Sequence, residues 1–336
     1  MSAIREYIKL IRPYGILFIG FTPVFGAICN GAFEITHLFL LLLIGLLGHI
    51  FVFVQNDYYD IEVDRQSKYV MQRPLTSGMV SRTQALLLFL GSFLLSVGLA
   101  SIFFFSVLSL LVLFFAFFLM TLYNRYSKRV TGMEYVLGIS VFLYGIYGAL
   151  TVSGQVSLFA VLISSAACLQ WVFSVGVSAN LKDVEFDTKL GIRTTPVLLG
   201  VQALGTHLKK PAVFLLYVYT IQLLHLMLVI LPIILGYTSP TLAGYPLPLL
   251  AFLILASLLL YTTKGILQAP LDRRDQMLRY EGIHEGLALL LIPCVLLNYL
   301  VEHLGVLFTV SLLVVLILWP LLCLRVLYGK KLIPLE

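Results

Sequence analysis

Long apolar runs, separated by short polar breaks, occupy most of the chain. From the N-terminus they cover residues 15–32, 38–55, 85–105, 108–122, 135–152, 158–179, 212–235, 247–261, 286–300 and 305–327. A membrane-spanning helix needs about 20 mostly apolar residues, so the pattern predicts an all-α transmembrane bundle of ten spans. The weakest divisions are the apolar hairpin near Ser106 and the short run before Glu302 and His303. Nine spans would be a modest revision. No small-residue cleavage pattern accompanies the first run, which reads as a retained span.

The polar positions then orient the bundle. All 22 Lys and Arg fall before the first run, after the second, fourth, sixth and eighth, or at the end of the tenth and after it. The alternate loops hold none. Basic loops stay in the cytoplasm, so both termini and every long loop are expected on that side. The opposite loops are short and almost uncharged.

Composition removes several classes. Only 11% of the 336 residues are charged and 60% are hydrophobic, against about 25% charged in soluble domains. A soluble enzyme, a disordered chain and a disulfide scaffold are excluded. The net charge of +6 reports orientation, and no nucleic-acid partner is expected. Cys29, Cys168, Cys294 and Cys323 lie in apolar stretches without a C-x-x-C pair, and read as small buried hydrophobes. The expectation is one integral-membrane domain over residues 1–336.

Two cytoplasmic segments carry the candidate chemistry. Residues 56–64 read N-D-Y-Y-D-I-E-V-D, with Asn56, Asp60 and Asp64 four apart. If the helix before them continues, all three share one face. Residues 180–187 read N-L-K-D-V-E-F-D, with Asp183 and Asp187 four apart. Together the two segments hold seven of the 16 acidic residues. Mg²⁺ prefers carboxylate oxygens and bridges to substrate phosphates. Two such clusters facing one cavity suit a diphosphate clamped and neutralised as a leaving group. Arg73, Lys128, Arg129, Lys182 and Arg193 lie on the same side and suit its oxygens. Arg73 and Arg193 can make forked hydrogen bonds to phosphate. The plain alternative is a solvated acidic loop, and Glu62 and Glu185 are read that way.

These residues resemble the UbiA superfamily of intramembrane prenyltransferases. Asn56, Asp57, Asp60 and Asp64 match its N-D-x-x-D-x-x-x-D motif, followed by R-P-L-T-S-G at residues 73–78. K-D-V-E-F-D-T-K-L-G-I-R-T-T-P, from residue 182, is similar to the family's second aspartate motif. Y-N-R-Y-S-K-R at 123–129 resembles its Tyr/Lys segment, with Tyr123 or Tyr126 as the equivalent tyrosine. The resemblance implies a helical bundle around a central cavity with cytoplasmic cap loops. It implies Mg²⁺ as cofactor, a prenyl diphosphate donor and a lipophilic acceptor from the membrane. Asn56, Asp60, Asp64, Asp183 and Asp187 would be metal ligands. Lys128 would contact the diphosphate, and Asp57 would hold structure. The family is usually nine-spanning, and this second motif lacks the upstream aspartate of some aromatic-acid members.

The implied activity is transfer of an isoprenyl chain to an aromatic quinone precursor or a glycerol-type lipid, with release of diphosphate. A membrane transporter or a non-catalytic lipid-binding bundle is the alternative. Charge concentrated at one face, rather than at mid-membrane, argues against a transporter. Tyr144 and Tyr147 are candidates for lining the cavity, where ring faces stabilise a carbocation. Glu134 reads as an acceptor contact or as a helix-start carboxylate favoured by the dipole. His49 and His225 read as interior polar contacts, His284 and Glu285 as interfacial caps. Gly145 and Gly148 read as helix-packing positions.

Overall fold

The computed structural model describes residues 3–333. Nine of the described helical segments are long and apolar enough to cross a membrane, and the protein is a multi-pass integral membrane protein. The chain divides into two compact units. The first contains residues up to Tyr126, Ile139–Ser164 and the chain from Trp319 on; the second contains Ser127–Gly138 and Ser165–Leu318.

In the first unit, α1 (Ala3–Ile11) is followed by α2 (Ile16–Ile28), α3 (Ile35–Asp64), α4 (Arg82–Phe103) and α5 (Val107–Tyr126). The unit also takes most of α6 (Met133–Leu150) and the start of α7 (Leu158–Phe173). The helix α3 packs on both α2 and α4. Small residues set its closest approach: a Cβ on Gly45 would sit 2.2 Å from the Gly20 carbonyl oxygen. The expected role of Gly145 and Gly148 holds. A Cβ on Gly148 would lie 1.9 Å from the Pro23 carbonyl oxygen, and one on Gly26 would lie 2.0 Å from that of Gly145. Without side chains there, backbones approach closely and gain dispersion contacts. The hairpin near Ser106 is a true break between α4 and α5. Ser81 begins α4 with a capping box to Gln84, which satisfies two otherwise orphaned backbone donors.

In the second unit, α7 gives way to a π-helical turn at Ser174–Ala179, then to the short helices α8 (Val184–Leu190) and α9 (Thr195–Leu198). A hairpin follows, β1 (Gln202–Leu204) against β2 (His207–Lys209). Its two-residue turn uses Gly205 at φ +61°, a conformation that glycine adopts without a Cβ penalty. The all-α bundle holds, with this one small hairpin beside its helices. Next come α10 (Ala212–Ile234), α11 (Leu247–Gln268) and α12 (Arg274–Val295). The core around the second aspartate segment joins Phe173, Val177, Val184, Phe214, Val218, Ile266 and Met277.

The expected run 286–300 is not one element. It straddles the end of α12 and the start of α13 (Leu297–Tyr328), which itself breaks at Gly305, φ 83° and ψ 162°. The reason is that the first half of α12 carries Arg274, Asp275, Arg279, Glu281 and Glu285. A hydropathy reading misses a helix that begins polar.

Candidate active site

The first aspartate segment is the end of α3. At 30 residues this helix is about 45 Å long at 1.5 Å per residue. A hydrocarbon core is about 30 Å thick, so the last turns project beyond it without interruption. The four-residue spacing therefore holds, and Asp57, Asp60 and Asp64 are all buried. Asn56 is half-buried. Two guanidinium groups hold this end. Arg12 Nη2 donates to Asp57 Oδ1 at 2.5 Å. Arg73 Nη1 donates to Asp57 Oδ1 at 3.3 Å and to Asp64 Oδ2 at 3.1 Å. Asp57 thus ties α3 to Arg12 and Arg73, the structural role expected of it. The reading of Glu62 also holds: it is exposed and pairs with Arg82 at 2.8 Å and Arg65 at 3.4 Å.

The second segment is not an extension of the preceding helix. The π turn at Ser174–Ala179 and a tight turn at Lys182 and Asp183 intervene. Asp183 stands at the N-cap of α8, and its carbonyl accepts the Asp187 amide at 2.8 Å. Gly191, at φ 69°, closes α8, where Ile192 N–H returns to the Asp187 carbonyl at 2.8 Å. A left-handed glycine satisfies the last carbonyls in this way. One further close approach fixes the π turn. A Cβ on Gly176 would lie 2.8 Å from Tyr217 Oη and 3.0 Å from Glu134 Cγ.

Asp183 accepts from Arg274 Nη1 at 2.9 Å, and that group also donates to the Lys182 carbonyl at 3.0 Å. Lys182 pairs with Glu281 at 3.1 Å. Asp187 is fully buried, and its Oδ2 accepts from Thr194 Oγ1 at 3.1 Å. Its Oδ1 is buried with no hydrogen-bond partner. Burial pushes the Asp187 carboxyl up to about 6; the Lys128 cation opposes this, the Asp183 charge adds to it, and the Thr194 hydrogen bond opposes it. A buried carboxylate oxygen left open in this way suits a cation. The donor types across both segments, carboxylate oxygens and one amide, also fit a hard divalent ion. Among the described residues, no three His, Cys, Asp or Glu converge as a preformed metal cluster.

The remaining expected contacts are spread along these segments. Lys128 is half-buried beside Asp187. Arg129 and Arg193 are exposed, and the Arg193 carbonyl accepts from Thr131 Oγ1 at 2.5 Å. Tyr123 and Tyr126 are half-buried at the end of α5, with the Arg125 guanidinium 5.7 Å from the Tyr126 ring centroid.

Several side chains changed their reading. His284 and Glu285 are not interfacial caps but lie mid-way along α12. His284 is fully buried, bonds Thr262 Oγ1 at 3.1 Å and stacks on Phe173 with centroids 4.4 Å apart. Glu285 accepts hydrogen bonds from Ser174 Oγ and from Gln170 Nε2. Glu134 is buried and accepts from Thr195 Oγ1 and Tyr217 Oη, so partners from other segments, not only the helix dipole, hold it. His49 and His225 do make interior contacts, to the carbonyls of Ile11 at 3.0 Å and Ala166 at 2.9 Å. Tyr144 is fully buried and donates to the Ile44 carbonyl at 2.6 Å. Arg12, Arg274, Glu281 and Thr194 were missed as site residues. For α12 a signal existed: Arg274, Glu281 and Glu285 recur at helical spacing.

The UbiA prenyltransferase family matches residues 17–278, a stretch that contains both aspartate segments. The chain belongs to the UbiA prenyltransferase family. It is an enzyme, a prenyltransferase. A digeranylgeranylglyceryl phosphate synthase of Pyrococcus abyssi is 30% identical over 207 residues, covering 59% of this chain and 70% of that one. A 4-hydroxybenzoate octaprenyltransferase of Francisella tularensis subsp. tularensis is 31% identical over 146 residues, covering 43% and 50%. The fold is that of a UbiA homologue from Archaeoglobus fulgidus bound to DMAPP and Mg²⁺, with TM-score 0.56 and 20% identity, covering 85% of this chain and 99% of that chain.

Proposed function

We propose that this prenyltransferase moves an isoprenyl chain from an allylic polyprenyl diphosphate to a glycerol-type lipid acceptor in the membrane, in a Mg²⁺-dependent reaction. The observation that carries this reading is the pair of aspartate segments, with Asp57, Asp60, Asp64 and Asp187 buried and each segment set against cationic side chains, within one family match. Asn56, Asp60 and Asp64 on one segment and Asp183 and Asp187 on the other hold the metal. When bound, Mg²⁺ neutralises charge developing on the diphosphate. Arg73, Lys128, Arg129, Lys182 and Arg193, with Tyr123 or Tyr126, orient the diphosphate oxygens. The allylic C–O bond breaks and its electron pair leaves on the diphosphate. The acceptor hydroxyl forms the new C–O bond, and its proton passes to the departing diphosphate. Preorganised cations stabilise this charge better than water does, and the apolar bundle keeps water from quenching the carbocation.

The basic loops support a site on the cytoplasmic side, with residues 1–336 acting as one catalytic domain and a central cavity receiving both substrates. The glycerol-type acceptor is favoured over an aromatic acid because the Pyrococcus relative matches more of both chains than the Francisella one. The test is diphosphate release by purified protein from geranyl, farnesyl and geranylgeranyl diphosphates, with and without Mg²⁺. Acceptors are a glycerol phosphate ether lipid and 4-hydroxybenzoate. Mg²⁺-dependent release with the ether lipid alone is the expected result. Release with 4-hydroxybenzoate alone would reverse the acceptor assignment. No donor binding by folded protein would bring back a lipid-binding bundle.

A further inference from the structure

A polar cavity lies in the first unit, built by segments outside residues 17–278 together with Asp57 of α3 and the loop after that helix. It encloses about 510 Å³, within the range that holds small ligands. Its walls include Arg5, Lys9 and Arg12 from the start of the chain, Arg73 and Tyr69 from the loop, and Val326, Leu327 and Tyr328 from the end of α13 with Gly329 just beyond it. Four cations line it against the single carboxylate of Asp57. The carboxylates that pair with Lys9 and Arg73 on their other sides, Glu6 and Asp64, are not among its walls.

The site is built rather than frayed. Arg5 Nη2 donates to the Leu327 carbonyl at 2.9 Å, and Trp319 Nε1 donates to the Pro13 carbonyl at 2.7 Å. Tyr14 meets Tyr328 edge to face at 6.1 Å. Arg12 pairs with Asp57 while sitting at φ 54°, a left-handed backbone that a non-glycine residue rarely adopts. Surrounding contacts must hold such a conformation, and it is commonest at functional positions.

The first helix also indicates the kind of ligand. Ile4 and Ile8 are exposed and four apart, while Arg5 and Lys9 follow a neighbouring stripe and Arg12 comes directly after the helix. An apolar stripe beside a basic one is how a helix lies at the boundary of headgroups and acyl chains. Val326, 76% exposed, gives the cavity an apolar rim.

We propose that this cavity binds the phosphate headgroup of a glycerolipid, with Arg5, Lys9 and Arg12 contacting the phosphate and Val326 lying beside the glycerol end. Two sources share that chemistry, a resident anionic phospholipid and a phosphate-bearing acceptor; only the second rests on the function proposed above. The test is lipid binding to purified protein by native mass spectrometry, independent of turnover. The probes are dioctanoyl phosphatidic acid, dioctanoyl phosphatidylglycerol, dioctanoyl phosphatidylcholine and inorganic phosphate. The anionic lipids should bind at least about tenfold more tightly than phosphatidylcholine, the scale of a charge-assisted hydrogen bond. A preference for the phosphomonoester points to the acceptor; equal binding of both anionic lipids points to a resident lipid. Arg5→Gln removes a phosphate contact but also the bond to Leu327. Lys9→Gln and Val326→Glu therefore serve as variants that leave the ties between the chain ends intact. Each should weaken anionic-lipid binding; Val326→Glu should do so with the thermal midpoint unchanged, whereas Lys9→Gln also removes the pair to the buried Glu6 and should lower the midpoint. Equal binding of all three lipids, binding indifferent to Lys9→Gln and Val326→Glu, or inorganic phosphate bound as tightly as the lipids would each overturn the proposal.

Discussion

In the first unit the aspartates ride on an unbroken helix, whereas in the second they hang from a broken one. The end of α3 presents Asp57, Asp60 and Asp64 by helical repeat alone, and Arg12 and Arg73 gather the side chains. Around Asp183 the backbone leaves the helix through a π turn and restarts at α8. There the partners come from far along the chain, Arg274 to Asp183 and Glu281 to Lys182. π-helical turns are rare and frequent at functional sites. The contrast teaches that one spacing, four residues between aspartates, can be produced by two different backbones. The first segment is positioned by its own helix, the second by what packs against it.

The strongest test of this contrast replaces one aspartate on each side. Asp60→Asn and Asp183→Asn should each lower acceptor-dependent diphosphate release by about 10²–10³-fold, the scale of lost leaving-group stabilisation. Near-full activity in either variant would make that segment structural and remove its half of the proposed site.

Packing offers the next comparison. Gly148→Ala in the first unit places a Cβ against the Pro23 backbone, and should cost about 1–3 kcal/mol through overpacking. Gly286→Ala in the second unit meets nothing within 4 Å, and should stabilise by roughly 0.5–1 kcal/mol. Thermal unfolding in detergent would separate the two, and similar midpoints would contradict the close crossing of α2 and α6.

A smaller effect is expected from Arg73→Lys. Arg73 reaches two carboxylates through one guanidinium, and a lysine ammonium cannot reproduce a forked contact. The donor KM should rise about tenfold, the scale of one charged hydrogen bond. An unchanged KM would mean that Arg73 serves the fold alone. At the small end, Glu62→Gln and Glu185→Gln remove exposed ion pairs, to Arg82 and to Lys189. Each should change stability by less than about 0.5 kcal/mol and leave turnover intact. A large loss in only one would show that its segment extends further than the aspartates themselves.

Much of the architecture is local and therefore readable. Apolar run length sets the spans, because the hydrocarbon core penalises any unpaired backbone polar group. The N-D-x-x-D-x-x-x-D spacing placed Asn56, Asp60 and Asp64 on one face because α3 stays helical to Asp64. The packing role of Gly148 followed from the same local logic, whereas that of Asp57 came from the resemblance. What failed was non-local. The start of α12 was hidden because it is polar, and Arg274, Glu281 and Glu285 in it meet partners within the protein. His284 and Glu285 were read as caps for the same reason.

The sequence by itself determined that this is a polytopic membrane protein carrying two aspartate segments, because hydropathy and helical repeat act over a few turns of chain, and the resemblance of those segments to the UbiA motifs implied prenyl transfer. Only the tertiary structure decided which cations meet which carboxylates, that the second segment starts on a new helix, and that both chain ends build one cavity. Those features depend on contacts between residues up to 322 positions apart, as for Arg5 and Leu327, and no local pattern encodes such a pairing.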